Sequence, residues 1–132
     1  MEPIMNEHDY PFAARGAATR ESLLGKGGGQ SFRSASSTLV PELGALSDDA
    51  NWGRIWSRPG IDMRTRSLCT ITALLALERY KYAAQHMVGA KNIGVSKAEL
   101  TEVVLQLLFY TGLPIVHEGL ALVEATYSEQ ST

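Results

Sequence analysis

The sequence predicts an all-α protein, a small helical bundle, on the strength of three observations. Apolar residues recur every three or four positions through most of residues 40–127, which is the spacing of one helix face. No segment shows the strict apolar–polar alternation of a half-buried strand. Helix start and stop signals recur at matching places, as capping residues before the apolar runs and glycines after them.

The first third of the chain is the least regular. A short helix is expected over about residues 10–24, and residues 25–37, GKGGGQSFRSASS, are rich in Gly and Ser. This composition predicts a flexible loop, because it cannot bury enough apolar surface to hold one conformation. No strand precedes the glycines, so they do not indicate a phosphate-binding loop. The predicted organisation is an N-terminal helix and loop over 1–37 and a helical domain over 38–132.

Two helices are predicted between residues 40 and 77. The first spans about 40–56 and ends before Arg58-Pro59-Gly60, with an expected buried stripe of Val40, Leu43, Leu46 and Ala50. Asp62 is the expected N-cap of the second helix, which is apolar on nearly every face and is therefore expected at the centre of the fold. Cys69 is expected there as a small core residue.

Three further helices follow. The first of them runs from Tyr82 to Ile93, with Tyr82, His86, Gly89 and Ile93 on one stripe and Gly94 as the C-terminal glycine. Ser96 and Glu99 have the spacing of a capping box for the next helix, which carries Leu100, Val103, Val104, Leu107 and Leu108. Gly112 ends that helix and Pro114 opens the last one, whose expected buried stripe is Val116, Leu120, Val123 and Tyr127.

Composition excludes several classes of function. The 132 residues carry a net charge of −2, so nucleic acid and anionic membranes are not expected partners. The most apolar run, residues 68–77, is too short to span a bilayer. A single cysteine and an N-terminus without a signal peptide favour a cytoplasmic location. The three histidines, His8, His86 and His117, are scattered, so no metal site is expected.

Two stretches carry a more specific pattern. The first reads WGRIWSRPGID over 52–62 and is followed by Arg64 and by Arg66-Ser67-Leu68. The second begins at His86, passes Gly94-Val95 and Gln106, and ends in YTGLP over 110–114. Together, over about residues 50–125, they resemble the signature of the carboxymuconolactone decarboxylase family. The resemblance implies an oligomeric, all-helical fold of the alkylhydroperoxidase-D-like type, assembled as a homotrimer or homohexamer, with no metal and no organic cofactor.

The resemblance also distinguishes between two branches of that family. The alkylhydroperoxidase-D-like branch carries Cys-x-x-Cys-x-x-x-His, and counting back from His86 places Arg79 and Tyr82 at the two cysteine positions. Thiol–disulfide exchange requires both an attacking and a resolving thiol, so this chemistry is excluded. The WSRPG stretch is similar to the decarboxylase branch.

The chemistry of decarboxylation indicates which groups the site must supply. The family's named substrate is a butenolide whose carboxylate is conjugated to the lactone carbonyl, so loss of carbon dioxide produces an enolate-type oxyanion. Such a reaction needs cations for carboxylates, a donor for the oxyanion and a proton source. Arginine matches carboxylate geometry, and Arg58, Arg64 and Arg66 are the candidates, with Arg66 placed at the reacting group.

Histidine suits the remaining tasks because its pKa lies near working pH. His86 is the candidate acid, and Tyr82, one turn earlier, is a candidate donor to the same oxyanion. The resemblance further suggests a substrate-binding wall, for which the candidates are Trp52, Trp56, Tyr110 and His117.

The expected function is therefore a cofactor-independent carboxy-lyase acting on a small carboxylated lactone or related keto-acid. An isomerase or cyclase of natural-product biosynthesis, using the same enolate, is the alternative within enzymes. A non-catalytic oligomeric binding module is the alternative outside them. Self-association is also expected from the helices that are apolar on more than one face, because one short chain cannot cover them all.

Overall fold

The computed structural model describes residues 7–28 and 30–128, and within these ranges it contains helices and no strand, as the sequence predicts. The helices are α1 (Ala13–Leu24), α2 (Gln30–Leu39), α3 (Leu43–Ser47), α4 (Met63–Ala76), α5 (Tyr80–Asn92), α6 (Lys97–Gln106), α7 (Leu108–Thr111) and α8 (Leu113–Ser128). A 3-10 turn, Glu7–Asp9, precedes α1, and a π-helical turn, Asp48–Trp52, directly follows α3. In the described part of the chain, no helix is long and apolar enough to cross a membrane.

The chain divides into two compact units, one ending at Ile61 and the other beginning at Asp62. Composition alone predicts a boundary at 37/38, where the Gly/Ser-rich segment ends. The N-terminal unit extends further because α1 packs against the π-helical turn, which lies beyond that segment. Packing between elements, rather than a change in composition, therefore defines the units.

Part of the segment expected to be a flexible loop is helical. The turn after α1 contains Gly25 and Gly27, both with left-handed φ angles, 81° and 76°. From Gln30 to Leu43 the chain has no glycine, and α2 occupies Gln30–Leu39. Serine lowers helix propensity only modestly. The loop prediction is therefore wrong for residues 30–37, because it extended the helix-breaking effect of the glycines to a stretch that contains none.

The single helix predicted over 40–56 is broken. Pro41 precedes α3, which lasts 5 residues before the chain widens into the π-helical turn. The expected buried stripe is wrong, since Val40, Leu43 and Leu46 are exposed. In the π-helical turn the buried residues are Asp48, Asp49 and Trp52, and both carboxylates have partners elsewhere in the N-terminal unit.

Most helix boundaries of the C-terminal unit follow the sequence signals, but the single helix predicted between Ser96 and Gly112 is divided at Leu107 into α6 and α7. Asp62 Oδ1 accepts a hydrogen bond from Thr65 N at 2.7 Å and so caps α4. The capping box of α6 is confirmed, since Ser96 and Glu99 each bond the backbone N–H of the other at 3.1 Å. Gly94 and Gly112 end α5 and α7 with φ angles of 93° and 98°.

The core of the C-terminal unit is apolar and draws on α4, α5, α6 and α8. Its buried members are Ile71, Leu75, Ala83, Met87, Ala90, Val95, Leu100, Val104, Leu107, Val116 and Val123. Tyr127 packs against this core, and its hydroxyl donates a hydrogen bond to the Val95 carbonyl oxygen at 2.5 Å.

One expectation about this core is wrong. Cys69 is exposed rather than buried, since α4 turns only its Ser67, Ile71 and Leu75 face inward. The buried residues of α5 are Ala83, Met87, Gly89 and Ala90. Of the stripe identified from the sequence, Gly89 is fully buried, His86 and Ile93 are partly buried and Tyr82 is exposed.

Candidate functional site

The tryptophans of the WSRPG stretch lie inside the N-terminal unit. Trp52 and Trp56 are buried and stacked, with ring centroids 4.7 Å apart and planes inclined by 27°. Ser57 Oγ donates to the Trp52 carbonyl at 2.8 Å and lies 3.1 Å from Thr19 Oγ1 on α1. Arg58, two residues after Trp56, is exposed. Within this unit the stretch therefore combines a buried aromatic pair with an exposed arginine two residues further along the chain.

Two buried aspartates hold that stretch against α1. Arg20 donates from Nε and Nη2 to the two oxygens of Asp48, at 2.9 and 3.3 Å. Asp49 Oδ1 accepts from Phe12 N at 2.8 Å, and its Oδ2 accepts from Arg54 Nε at 3.2 Å. Charge-assisted bonds of this kind fix geometry as well as adding stability.

This acidic pair is absent from the residues that the sequence singles out. The only local signal is two adjacent aspartates inside an apparently helical run. Their partners are up to 37 residues away, so the sequence does not reveal that the side chains point inward.

His86 and Tyr82 lie one turn apart on α5, as predicted. His86 is partly buried, and this burial lowers the pKa of its imidazole from 6.5 to about 4, because the surroundings penalise the charged form. His86 is therefore neutral at pH 7. Tyr82 is 46% exposed and in contact with solvent.

The arginines of α4 differ in their surroundings. Arg64 forms an ion pair with Glu99, the capping-box residue of α6, and both side chains are about half exposed. Arg66 is partly buried on α4, the helix that packs against α5. Arg64 is thus already paired with a carboxylate, and a substrate carboxylate would have to compete with Glu99 for it.

The remaining predicted residues of the C-terminal unit, Tyr110 and His117, are both exposed. Tyr110 lies on the short helix α7 and is 81% exposed, and His117 lies on α8. Of the nine predicted site residues, Trp52, Trp56 and Arg58 belong to the N-terminal unit and the other six to the C-terminal unit.

An open groove on the C-terminal unit contains none of those nine residues. Its volume is about 630 Å³, and it lies between α4 and α6, lined by Thr65, Leu68, Cys69, Thr72, Ala73, Ala76, Glu102, Val103, Gln106 and Leu107. The α4 side has a sequence signal, since its six residues follow i, i+3, i+4, i+7, i+8 and i+11 spacing and five of them are small. Among the described residues, no three His, Cys, Asp or Glu side chains are grouped to hold a metal ion.

The fold and these motifs define a class of protein. The model of the carboxymuconolactone decarboxylase family matches residues 41–125, more than half of the chain, and the chain belongs to this family. The match begins after α2, so α1 and α2 lie outside it.

Named relatives include two decarboxylases. The chain is 41% identical over 78 residues to 4-carboxymuconolactone decarboxylase of Acinetobacter baylyi, which covers 59% of this chain and 58% of the relative. It is 33% identical over 78 residues to nitrosuccinic acid decarboxylase npaB of Metarhizium robertsii, covering 59% and 54%. An uncharacterised 15.0 kDa protein of Paracoccus denitrificans is 29% identical over 101 residues, 73% of each chain. The match to each decarboxylase thus spans little more than half of that relative's length.

Proposed function

We propose that this protein is a cofactor-independent carboxy-lyase that acts on a carboxylated lactone or a related acid with a neighbouring electron-accepting group. The observations that carry the proposal are the 41% identity over 78 residues to a 4-carboxymuconolactone decarboxylase and the family match over residues 41–125, a range that contains the WSRPG stretch and His86. A second relative, named as a nitrosuccinic acid decarboxylase, supports the wider substrate class.

The two named substrates share one chemical feature. In a carboxymuconolactone the carboxylate is conjugated to a lactone carbonyl, and in nitrosuccinate one carboxylate sits beside a nitro group. In each, the carbon–carboxylate bond breaks and its electron pair moves onto an oxygen of the acceptor as carbon dioxide leaves. The resulting enolate or nitronate then takes a proton on carbon. The protein must therefore stabilise an oxyanion and supply one proton.

In its neutral form, His86 can stabilise the oxyanion. With the pKa of His86 lowered to about 4 by burial, only about one molecule in a thousand carries the imidazolium at pH 7. A neutral imidazole still has one N–H, which can donate to the oxyanion in surroundings where a hydrogen bond is strong. Tyr82, one turn earlier and half exposed, can pass a solvent proton to the carbon.

The arginines suit the carboxylates. Arg66, partly buried on the helix next to α5, is assigned to the reacting carboxylate. Arg64 is assigned to the rest of an anionic substrate, with Glu99 as the carboxylate that it binds in the resting protein. Tyr110 and His117, on the same unit, are assigned to substrate binding. For Arg58, Trp52 and Trp56, substrate binding stays a prediction of the sequence pattern. We also propose that the working form is a homotrimer or homohexamer, in which neighbouring chains cover exposed apolar side chains.

The test is carbon dioxide release by the purified protein with 4-carboxymuconolactone and, separately, with nitrosuccinate. Release with either substrate is expected, and His86→Ala should lower kcat by roughly 10²-fold, the scale of one lost oxyanion donor. His86→Gln should recover part of that loss, because the amide keeps an N–H donor. His8→Gln serves as the matched control and should leave the rate unchanged.

The pH profile separates two roles of His86. If the neutral form acts, kcat/KM should not depend on His86 ionisation between pH 5 and 8. If the imidazolium were the working acid, kcat/KM would fall about tenfold per pH unit above pH 4. Substrate loss without carbon dioxide would instead indicate an isomerase or cyclase, and no turnover with retained binding would indicate a binding module.

A further inference from the structure

Two arginines of the N-terminal unit contact the same aromatic ring. The guanidinium carbon of Arg15, on α1, lies 4.4 Å from the centroid of the Phe12 ring, and that of Arg54 lies 4.6 Å from it. The two guanidinium carbons are therefore no further apart than the sum of these distances, about 9 Å. Both arginines are exposed, so two cations meet solvent within a small area.

Bonds inside the unit hold both side chains in place. Arg15 Nη2 donates to the Gly53 carbonyl oxygen at 2.7 Å. Arg54 Nε donates to Asp49 Oδ2 at 3.2 Å, and the other oxygen of Asp49 accepts from Phe12 N at 2.8 Å. Gly53 permits this close approach, because a Cβ at that position would lie 2.5 Å from the Phe12 carbonyl oxygen. The two guanidinium groups are therefore pre-organised, which lowers the entropic cost of binding a ligand.

The positive charge of these arginines is only partly balanced. Asp49 is the carboxylate bonded to Arg54, whereas Arg15 bonds a carbonyl oxygen and has no carboxylate partner among the described residues. A guanidinium has five N–H donors, and each of the two uses one of them in these bonds. Most donors of both arginines thus stay available to an acceptor from solvent.

We propose that Arg15 and Arg54 form a binding site for a short dicarboxylate, with one carboxylate of the ligand on each guanidinium group. The planar guanidinium matches carboxylate geometry and binds it through two parallel hydrogen bonds. Two such positions select a ligand with two carboxylates over a monocarboxylate, because the second contact forms within one complex.

The separation of the guanidinium groups suits such a ligand. With hydrogen bonds of about 2.8 Å, the carbon of a bound carboxylate lies about 4 Å from the guanidinium carbon. The two carboxylate carbons of a four-carbon diacid are also about 4 Å apart. The diacid can therefore reach guanidinium carbons up to about 12 Å apart, which covers the separation between Arg15 and Arg54.

The Phe12 ring strengthens the attraction. This ring is partly buried and excludes water from one side of each guanidinium group. Opposite charges attract each other more strongly where water is excluded. The ring therefore favours binding of an anion to this pair over binding to an arginine that is surrounded by water.

The site lies wholly within the N-terminal unit and does not depend on the decarboxylation proposed for the C-terminal unit. It also goes beyond the family pattern, since Phe12 and Arg15 precede the residues 41–125 that the family model matches. Gly53 and Arg54 belong to the WSRPG stretch. The proposal thus gives that stretch a binding task within its own unit.

Succinate, a stable four-carbon diacid, tests the proposal on the wild-type protein. Phenylglyoxal modifies accessible arginines, and mass spectrometry of peptides assigns each modified position. Succinate, with ionic strength held constant by sodium chloride, should slow modification of Arg15 and Arg54 severalfold. Arg79, exposed in the C-terminal unit, is the internal control and should react at an unchanged rate. Because each arginine is read separately, this protection is distinguished from any at Arg64 or Arg66, and no turnover is required.

Variants separate specific recognition from net charge. Arg15→Gln should raise the succinate concentration that half-protects Arg54 by about tenfold or more, the scale of one lost charge-assisted bond. Arg15→Lys keeps the charge without the planar donors and should fall between Arg15→Gln and wild type. Arg79→Gln removes the same charge from the other unit and should have no effect. Circular dichroism melting checks that each variant is folded, and the wild-type protection decides the question if Arg15→Gln is not.

Three results would overturn the proposal. Equal slowing at Arg79 would show that succinate acts on arginines in general. Acetate at the same carboxylate concentration, protecting Arg15 and Arg54 as strongly as succinate, would exclude two-point binding. An unchanged half-protection concentration in folded Arg15→Gln would remove Arg15 from the site.

Discussion

The two units of the chain bury different kinds of residue. The N-terminal unit buries Asp48 and Asp49 beside its tryptophans and ties them to Arg20, Arg54 and the backbone of residue 12. The C-terminal unit buries eleven apolar residues from four helices and the segments between them, with Ser67 and Thr126 as its buried polar residues in the described chain. The N-terminal unit adds directed charge-assisted bonds to its buried Leu23, Trp52 and Trp56, whereas the C-terminal unit depends on removal of apolar surface from water.

This difference bears on function. Directed bonds specify one geometry for the Trp52–Trp56 turn, but every partner is needed, because a buried charge is costly when its partner is removed. Apolar packing is less specific but excludes water, and the same exclusion lowers the pKa of His86 and keeps its imidazole neutral. The proposed oxyanion donor, His86, therefore depends on the apolar packing of the C-terminal unit. The shape of the WSRPG stretch depends on the charge-assisted bonds of the N-terminal unit.

The largest effect is expected from Arg20→Ala. This substitution removes the guanidinium that binds both Asp48 oxygens, and the side chains of this pair are only 12% and 10% exposed. The expected cost is about 3–5 kcal/mol, measured by hydrogen exchange of the α1 amides. In the C-terminal unit, Glu124→Gln breaks the exposed 2.8 Å pair with Lys97 and should cost about 0–1 kcal/mol. Equal effects of the two substitutions would remove the contrast between the units.

A second effect depends on pH. Because the folded pKa of His86 is about 4 against 6.5 for the free side chain, the unfolded chain binds more protons between these values. The contribution of His86 to the free energy of unfolding is complete above pH 6.5. It is lost as the pH falls towards 4, by up to about 3 kcal/mol. His86→Gln should lose less stability than wild type over pH 7 to 4 in urea denaturation. If the free energies of unfolding of His86→Gln and wild type fell equally over this pH range, His86 would not be buried as described.

A smaller effect compares two glycines. A Cβ at Gly16 of α1 would overlap the Asp48 carbonyl oxygen, which is backbone and cannot move aside without shifting the turn. Gly16→Ala should therefore cost about 1–3 kcal/mol. A Cβ at Gly119 of α8 would lie 2.8 Å from Val104 Cγ1, a side-chain atom that can adjust. Gly119→Ala should cost less, since alanine also favours the helix by about 0.5–1 kcal/mol. Thermal unfolding of both variants measures the difference, and the reverse order would contradict it.

The smallest effect is expected from Cys69→Ser. Cys69 is exposed on the groove wall, and no proposed step uses a thiol. Stability should change by no more than about 0.5 kcal/mol, and turnover should remain at the wild-type level. A loss of activity large enough to measure easily would assign Cys69 a role in the chemistry.

Local signals were enough to predict much of the C-terminal unit. Asp62, the Ser96–Glu99 capping box, Gly94 and Gly112 act within about four residues of themselves, so their roles can be read from spacing alone. The family pattern was also predicted from local motifs and is confirmed over residues 41–125. The end of α4 gave no such signal, because Glu78, rather than a glycine, takes the left-handed φ of 58° after it.

The sequence by itself determined the all-α class, the helix ends marked by caps and the family. Each of these depends on short-range periodicity or on residues close together in the chain. The tertiary structure alone decided that Asp48 and Asp49 are buried, that Cys69 faces outward, and that His86 is partly buried and neutral. These properties depend on which helices pack against a given face. The partners that decide them are as distant as Arg20 from Asp48, 28 residues apart, a separation at which residue spacing carries no information about contact.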